Sequence, residues 1–262
     1  MEENIIIAIL LSLVVVGDLS IIQTLYATAE KVTGVIVPLY VRPDSKYWNT
    51  IIDTKNAHPN VPMIVIVNPN NGPGQSLDEG YKNVIKKLQT AGIIVLGYTA
   101  TDYAWRSSSR VMDYIDKYKA WYNINGILFD EMSRSHGKED YYKALSEYAE
   151  SKDLKFTVGN AGADIPEVYV GAVDNIIAYE SAGLPSLADL ESWHSKYLNQ
   201  FSITAYDVNI LNQSYLTSAE KYVSNIYITN DSLPNPWNSL PPYFYDLVEI
   251  LDDQAALKNG TE

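Results

Sequence analysis

Several residue types that carry common chemistries are missing from this sequence or scarce in it. Cysteine is absent, which excludes disulfides, a thiol nucleophile and any metal site built on thiolates. The three histidines, His58, His136 and His194, show no metal-ligand spacing, so no metal ion is expected. Lysine and arginine are outnumbered by aspartate and glutamate. The resulting formal net charge of −13 argues against nucleic-acid binding, which relies on clustered cationic side chains.

Motifs for cofactors and for a serine nucleophile are missing as well. The segment from Asn70 to Gly74 is rich in glycine but contains no lysine, so it does not match a phosphate-binding P-loop. No Gly-x-Ser-x-Gly sequence occurs, which removes the usual signature of a serine hydrolase. We therefore expect neither a bound cofactor nor a serine nucleophile.

The N-terminus carries an apolar run that predicts export. Residues 5–16 are apolar apart from Ser12, and this run is shorter than the roughly 20 residues of a membrane span. The Ala-Thr-Ala sequence at residues 27–29 then supplies a cleavage site. The first residues are acidic, whereas signal peptides usually begin with basic residues. The expectation is a signal peptide over residues 1–29 and a secreted chain, with an uncleaved anchor facing outside as the alternative.

The rest of the chain, residues 30–262, alternates short apolar runs with amphipathic stretches. Apolar runs of this length, separated by helical periodicity, are typical of buried parallel strands. Eight strand–helix repeats without an intervening linker predict a single-domain (β/α)8 TIM barrel. The predicted strands are Thr33–Tyr40, Met63–Asn68, Ile93–Thr99, Gly126–Asp130, Lys155–Asn160, Asn175–Glu180, Ser202–Asp207 and Asn225–Asn230.

The intervening helices carry their own signals. In the second helix an apolar face runs from Leu77 to Leu88, and Ser76 with Glu79 is predicted to form a capping box. Ser186 is expected to open a later helix, and the last helix is predicted from about Tyr243 to Leu257. The fifth and seventh helices look short. Most of the 21 tyrosines are expected to pack between the helices and the barrel.

Polar residues follow the apolar runs at the predicted carboxyl ends of the strands, where barrel enzymes place their active sites. Two adjacent acids, Asp130 and Glu131, end the fourth strand, and Glu180 ends the sixth. Acids next to a buried strand are unfavourable unless they face a polar cavity. Paired acids among amides and tyrosines fit glycoside hydrolysis. The other polar residues at these ends are Tyr40, Asn68, Thr99, Thr101, Asn160, Tyr206, Asp207, Asn230 and Asp231.

Strand alternation assigns the acids to faces, because side chains two residues apart point the same way. Asp130, Asn160 and Glu180 are therefore expected to meet at the top of the barrel. Glu131 would then point away, within reach of an ion pair with Arg134. The rows expected to point inward are Leu128–Asp130, Phe156–Val158–Asn160 and Ile176–Ala178–Glu180.

Several of these runs, taken in order, resemble a known family. The runs are Val37–Tyr40, Val65–Gly74, Gly97–Tyr103, Gly126–Glu131 and Ala178–Glu180. Together they resemble the spherulin-4 (spherulation-specific) family over nearly the whole mature chain. The Asn-Pro-x-x-Gly-Pro-Gly run that begins at Asn68 is the most specific of them.

This resemblance implies a secreted (β/α)8 glycoside hydrolase that cleaves α-1,4-linked N-acetylgalactosamine within galactosaminogalactan. The acids on which the family depends match Asp130, Glu131 and Glu180. The chain departs from the family where Asn160-Ala161-Gly162 stands in place of the usual Asn-Pro-Gly.

The combined expectation is an endo-acting, retaining hydrolase of an amino-sugar-containing polysaccharide or cell-surface glycan. Asp130 is predicted as the nucleophile and Glu180 as the general acid/base, with the reverse assignment open, and Glu131 as the group that orients or tunes them. The chain is expected to be monomeric and, once the signal is cleaved, free of the membrane. The predicted sugar-binding residues are Tyr40, Asn68, Tyr98, Thr101, Asn160, Tyr206 and Asp207. The alternatives are a non-catalytic carbohydrate-binding barrel and a membrane-tethered structural protein of the cell surface.

Overall fold

The computed structural model describes residues 32–194 and 200–259 of the chain. Val32–Ala255 forms one compact unit, the barrel, and a second unit comprises residues 1–31 and 256–262. Of this second unit, the structure describes residues 256–259, which are helical. The predicted signal peptide at residues 1–29 lies outside the described residues.

Eight parallel strands close into a barrel in their sequence order. The last strand pairs with the first, so the sheet has no open edge. The predicted (β/α)8 barrel is confirmed, and every predicted strand overlaps an observed one. The strands are β1 Gly34–Pro38, β2 Met63–Val67, β3 Ile94–Ala100, β4 Gly126–Asp130, β5 Phe156–Asn160, β6 Asn175–Ala182, β7 Phe201–Tyr206 and β8 Asn225–Ile228.

The described residues contain seven α-helices. A single 3-10 turn, Glu167–Tyr169, replaces the helix between β5 and β6, and the helix after β7 has 7 residues. The sequence had predicted short helices at both of these positions. None of the helices in the described ranges combines the length and the apolarity that a membrane crossing needs. The helices are α1 Tyr47–Ala57, α2 Glu79–Thr90, α3 Ser108–Tyr122, α4 Glu139–Ser151, α5 Leu187–His194, α6 Gln213–Ala219 and α7 Phe244–Asn259.

The start of α2 differs from the predicted capping box. Asp78 is the N-cap, and its Oδ1 accepts hydrogen bonds from Gly80 N at 2.8 Å and from Tyr81 N at 3.1 Å. The prediction of a box formed by Ser76 and Glu79 is therefore wrong, because an aspartate nearer the helix satisfies the same free N–H groups. The buried face of α2 runs through Tyr81, Val84, Ile85 and Leu88, as predicted.

The core has two layers on either side of the strands. Aliphatic side chains fill the barrel interior, and a larger layer lies between the strands and the helices. The largest fully buried side chains are tyrosines of this outer layer, which is where most tyrosines were expected to pack. The interior residues are Ile36, Ile64, Ile66, Leu96, Leu128, Val158 and Ile177.

The sixth strand departs from regular alternation. Ile177 lies in the barrel interior, whereas Ile176 and Ala178 belong to the outer layer. The pairing of β6 with β7 shifts register between Ile177 and Tyr179, which is the mark of a β-bulge. The extra residue brings Glu180 back to the inward side, where it lines a cleft. The predicted inward row of Ile176 and Ala178 is therefore wrong, although Glu180 does reach the top of the barrel.

Candidate active site

A cleft of about 510 Å3 opens at the carboxyl ends of the strands. Its lining brings together two of the predicted acids with amides and aromatic rings. A larger cavity of about 810 Å3 lies between α1 and α2, and its lining has lysines but no carboxylate. The size of a cavity alone therefore does not identify the candidate active site. The predicted residues that line the cleft are Tyr40, Asn68, Tyr98, Asp130, Asn160, Glu180 and Tyr206.

One asparagine joins the two acids of this cleft. Asp130 and Asn160 are the last residues of β4 and β5, and Glu180 follows the bulge in β6. The Nδ2 group of Asn160 donates to Asp130 Oδ1 at 2.9 Å and to Glu180 Oε2 at 2.6 Å. An amide nitrogen carries two hydrogens, so each carboxyl group receives one. Asn160 therefore fixes both acids relative to each other.

The surroundings of Glu180 favour its protonated form. Burial and, to a smaller extent, the charge of Asp130 raise the pKa of Glu180 from 4.5 to about 7, although the hydrogen bond from Asn160 acts in the opposite direction. A neighbouring like charge disfavours the ionised form of a carboxyl group. Near neutral pH, Glu180 can therefore both release and accept a proton, which is the property required of a general acid/base.

Two tyrosines pack beside the acids. The rings of Tyr40 and Tyr98 meet edge to face, with their centroids 5.7 Å apart. Burial, followed by the charges of Asp130 and Glu180, raises the pKa of Tyr40. Burial, followed by the charge of Asp130 and a hydrogen bond to it, raises the pKa of Tyr98. Both phenols therefore keep their protons at neutral pH and remain hydrogen-bond donors.

The glycine before Tyr98 sets how closely β3 approaches α3. A Cβ atom on Gly97 would lie 2.7 Å from the ring of Tyr118, so a larger residue would push the helix away. With this close packing, the Tyr118 hydroxyl donates to the backbone oxygen of Tyr98 at 2.9 Å. The outer layer thereby holds the strand end that carries Tyr98.

Glu131 does not line the cleft, although it follows Asp130 directly. Its backbone adopts a left-handed conformation with φ 54°, and its Oε2 accepts a hydrogen bond from Asp102 N at 3.1 Å. Its backbone oxygen accepts from Tyr103 N at 2.9 Å. The predicted ion pair with Arg134 does not form among the described residues. Glu131 thus supports the loop after β3.

Two predicted sugar-binding residues lie away from the cleft. Thr101 is fully buried, and its Oγ1 lies 2.9 Å from the backbone oxygens of both Asp130 and Glu131. Asp207 is exposed outside the cleft, with a left-handed backbone, and its N–H donates to Asp231 O. Thr101 thus joins the end of β3 to the end of β4. Asp207 instead contacts the loop after β8 through Asp231.

The loop after β2 adds cleft residues that were not predicted, Asn70 and Asn71. Asn68 Oδ1 accepts a hydrogen bond from Gly72 N at 3.0 Å, which folds this loop back over the strand end. Gly72 has φ 135°, a conformation that favours glycine. The Asn-Asn-Gly sequence that begins three residues after the end of β2 could have indicated these cleft residues.

A second unpredicted wall of the cleft comes from residues 233–237, between β8 and α7. Tyr40 N donates to Trp237 O at 2.7 Å, and the Trp237 ring meets Tyr206 edge to face with centroids 6.2 Å apart. These contacts bring the segment against β1 and β7. A tryptophan among prolines after the last strand was a usable signal, because every loop that follows a strand lies at this rim.

The donor groups of the site do not suggest a metal centre. Within the described ranges, no cluster of three or more histidine, aspartate or glutamate side chains is arranged to hold an ion. The polar groups of the cleft include two carboxyl groups, five asparagine amides and three phenols. Such groups can exchange protons and bind hydroxyl groups without further components.

Comparison with known proteins places the chain in a family. The model of spherulation-specific family 4 matches residues 34–251, which include all eight strands. This chain belongs to spherulation-specific family 4. Spherulin-4 of Physarum polycephalum is 32% identical to it over 170 residues, which is 64% of this chain. The matched part is 50% of that relative, so the chain spans about half of its length.

Two solved structures share the barrel of this family 4 chain. Sph3 of Aspergillus clavatus, solved in complex with GalNAc, has a TM-score of 0.78 and 24% identity, covering 86% of this chain and 99% of its own. A chitinase of Rhizomucor miehei has a TM-score of 0.52 and 10% identity, covering 85% of this chain and 100% of its own. At these identities the likeness shows the fold alone, because one barrel fold hosts many activities.

Proposed function

We propose that this protein is a secreted glycoside hydrolase that cleaves within an amino-sugar-containing polysaccharide. The observation that carries the proposal is the unit of Asp130, Asn160 and Glu180, in which one amide bonds two carboxyl groups. The raised pKa of Glu180 supports a division of roles between the two acids. Glycosidic cleavage needs such a pair, one acid that is protonated and one that is ionised.

In the proposed mechanism, Asp130 is the nucleophile and Glu180 is the general acid/base. The carboxylate of Asp130 attacks the anomeric carbon while the glycosidic C–O bond breaks and Glu180 gives its proton to the leaving oxygen. Glu180 then takes a proton from water, whose oxygen attacks the same carbon and releases Asp130. The raised pKa of Glu180 favours this assignment over the reverse one.

The spacing of the acids supports retention of configuration. Since one nitrogen bonds both carboxyl groups, the two bonded oxygens can be no farther apart than about 5.5 Å, the two distances laid end to end. Retaining enzymes hold their acids about 5–5.5 Å apart, whereas inverting enzymes leave about 6.5–9.5 Å for a water molecule.

The remaining cleft residues suit a sugar with hydroxyl and acetamido groups. Tyr40 and Tyr98 offer phenol donors beside the acids, and Asn68, Asn70 and Asn71 offer amides on the facing loop. The GalNAc bound to Sph3, whose barrel is similar, supports N-acetylgalactosamine as the sugar unit of the first substrate to test. The α-1,4 linkage of that substrate is taken from the family resemblance alone. Glu131 acts in this proposal as a positioning residue through the loop that it supports.

Hydrolysis of a panel of defined oligosaccharides tests the proposal. We expect reducing ends to appear from α-1,4-linked N-acetylgalactosamine oligomers, and NMR to detect the α-anomer as the first product. A β-anomer formed first would contradict retention, and binding without cleavage would favour a non-catalytic carbohydrate-binding barrel. Asp231→Asn is the control, because Asp231 accepts a bond from Ser239 Oγ and does not line the cleft.

Export is the second part of the proposal, and it rests on residues 1–29. N-terminal sequencing of the protein from its native host should find Glu30 as the first residue. Recovery of an intact Met1 from the membrane fraction would show an uncleaved anchor instead.

A further inference from the structure

A second cleft lies on the same rim of the barrel as the catalytic cleft. We call it the rim cleft; it has a volume of about 700 Å3 and is formed by the loops after β3, β4 and β5. None of its lining residues lines the catalytic cleft. The residues that matter here are Tyr103, Ser133, Arg134, Ser135 and Asp164.

The rim cleft combines an exposed ring with polar groups of both charges. The side chain of Tyr103 is 57% exposed, and Arg134 and Asp164 are exposed as well. Arg134 forms no ion pair with any described residue, although acids outnumber bases in this chain. A flat aromatic face beside a few separated hydrogen-bonding groups is typical of sites that hold a sugar ring.

The loop that carries Tyr103 is held in place despite an unfavourable backbone. Asp102, Tyr103 and Ala104 all have positive φ angles, 50°, 54° and 65°. Side chains other than glycine rarely adopt this region, at a cost of about 1–2 kcal/mol per residue. Glu131 offsets this strain by accepting bonds from the N–H groups of Asp102 and Tyr103. The backbone that carries the ring is thus held in place.

The facing loop is also fixed before any ligand binds. Ser133 N donates to the hydroxyl of Tyr142 at 2.7 Å, and the Tyr169 hydroxyl donates to Ser135 O at 2.6 Å. Both tyrosines are fully buried in the outer layer. A preformed cleft avoids the entropy loss of ordering a loop on binding.

Two loops run directly from the catalytic cleft to the rim cleft. Arg134 is four residues beyond Asp130, and Asp164 is four residues beyond Asn160. Four residues of chain span at most about 14 Å, so the two clefts are close neighbours. A polymer held at its cleavage point in the first cleft has its next units within reach of the second.

We propose that the rim cleft binds a further sugar unit of the glycan chain that the catalytic cleft cleaves, with Tyr103 under the ring and Arg134 and Asp164 at its edge. This inference rests on the proposed glycoside hydrolase function. The rim cleft then strengthens the binding of long glycan chains only, because a short oligosaccharide fills only the catalytic cleft.

Kinetics on two substrate lengths test this inference. The substrates are an α-1,4-linked N-acetylgalactosamine polymer and its disaccharide or trisaccharide. For Tyr103→Ala and Arg134→Gln, we expect KM on the polymer to rise about five- to tenfold with kcat unchanged, since a tenfold change corresponds to about 1.4 kcal/mol of binding. Both constants on the short substrates should stay at wild-type values.

Matched controls are available on the surface. Tyr245→Ala removes a ring that is 44% exposed and lines neither cleft, and Arg42→Gln removes an arginine whose ion pair with Asp44 is exposed. Both controls should behave as wild type on both substrates. Equal losses on long and short substrates, or no loss on either, would overturn the inference while leaving the proposed function intact.

A binding measurement separates this inference from the proposed function. If the wild type cleaves no member of the panel, the proposed function is wrong, and the rim cleft is then judged by retardation in gels that contain the polymer. Weaker retardation of Tyr103→Ala than of Tyr245→Ala would support glycan binding at the rim cleft. Equal retardation of the two variants, or none of the wild type, would overturn it.

Discussion

The ends of β4 and β6 deliver an acid to the same cleft by different local structures. In β4 the alternation is regular, so Asp130 follows the inward Leu128 by two residues. In β6 a bulge intervenes, and Glu180 follows the inward Ile177 by three. A bulge next to an active site re-aims a side chain. Alternation alone therefore accounts for the position of Asp130, whereas Glu180 reaches the same cleft only through the bulge in β6.

A second contrast is between the two neighbouring acids at the end of β4, Asp130 and Glu131. Asp130 faces the cleft and bonds the amide of Asn160, whereas Glu131 turns into a left-handed conformation and bonds the backbone of the loop after β3. One acid faces the cleft, and the other holds a loop.

The largest effect is expected when either acid of the cleft loses its charge. Asp130→Asn and Glu180→Gln should each lower kcat by at least about 10²–10⁴-fold, because each removes a group that acts in the transition state. The two losses should be similar, since the proposed mechanism assigns Asp130 and Glu180 to the same reaction. Turnover of an amino-sugar oligosaccharide and a thermal melt of each variant check this.

Asp231→Asn is the control for these exchanges, because it also changes a carboxylate into an amide on the same rim. It should keep most of the activity, since its oxygen can still accept the bond from Ser239. If Asp130→Asn and Glu180→Gln fold normally and cleave at the wild-type rate, the two acids are not the catalytic pair.

A smaller effect is expected at Glu131, where two substitutions distinguish positioning from proton transfer. Glu131→Gln keeps an oxygen that accepts the bond from Asp102 N, so activity should stay within about twofold of wild type. Glu131→Ala loses this bond and should lower the free energy of unfolding by about 1–3 kcal/mol. It should also raise KM on the polymer more than on short oligosaccharides, because the loop that carries Tyr103 loses its bond at Asp102 N, although Tyr103 N keeps its bond to the Glu131 backbone.

Turnover and unfolding of the two Glu131 variants, measured side by side, decide between these roles. A loss of activity in Glu131→Gln as large as that in Glu180→Gln would show that Glu131 takes part in proton transfer.

The smallest effect is expected in the pH dependence of stability. The folded protein raises the pKa of Glu180 from 4.5 to about 7. The contribution of this carboxyl group to the free energy of unfolding is therefore fully present below pH 4.5 and is lost as the pH rises through 7. Glu180→Gln should therefore melt like wild type at pH 4 and more stably at pH 8, by on the order of 1–3 kcal/mol. The gain corresponds to roughly 2–4 °C in Tm per kcal/mol. A constant difference in Tm between pH 4 and pH 8 would contradict the assignment.

The fold was predictable because its signals are repeated. Each strand is a short apolar run, each run is followed by a helix or a turn, and the number of repeats identifies the barrel. Local chemistry was harder to assign. Asp78 displaced the expected Ser76 as the cap of α2, since both residue types can cap a helix and only the backbone decides which one does.

The site was predictable where it depends on strand ends and not where it depends on loops. Asp130 and Asn160 end their strands and Glu180 lies two residues before the end of β6, so the barrel topology brings all three to one rim. The bulge in β6 then turns Glu180 inward, which the sequence did not indicate. Thr101 and Asp207 lie just beyond strand ends, where the chain turns and takes their side chains out of the cleft. The wall at residues 233–237 depends on contacts with Tyr40 and Tyr206 that are far away in sequence.

Whether Asp130 and Glu180 act as one pair is tested most directly by titrating the Glu180 carboxyl group. NMR of carboxyl-labelled protein should give Glu180 a pKa of about 7 in the wild type. In Asp130→Asn its pKa should fall but stay above 4.5, because burial makes the larger contribution to the shift and the charge of Asp130 the smaller one. A Glu180 that titrates near 4.5, or whose pKa is the same in both proteins, would contradict the coupled pair on which the proposed mechanism depends.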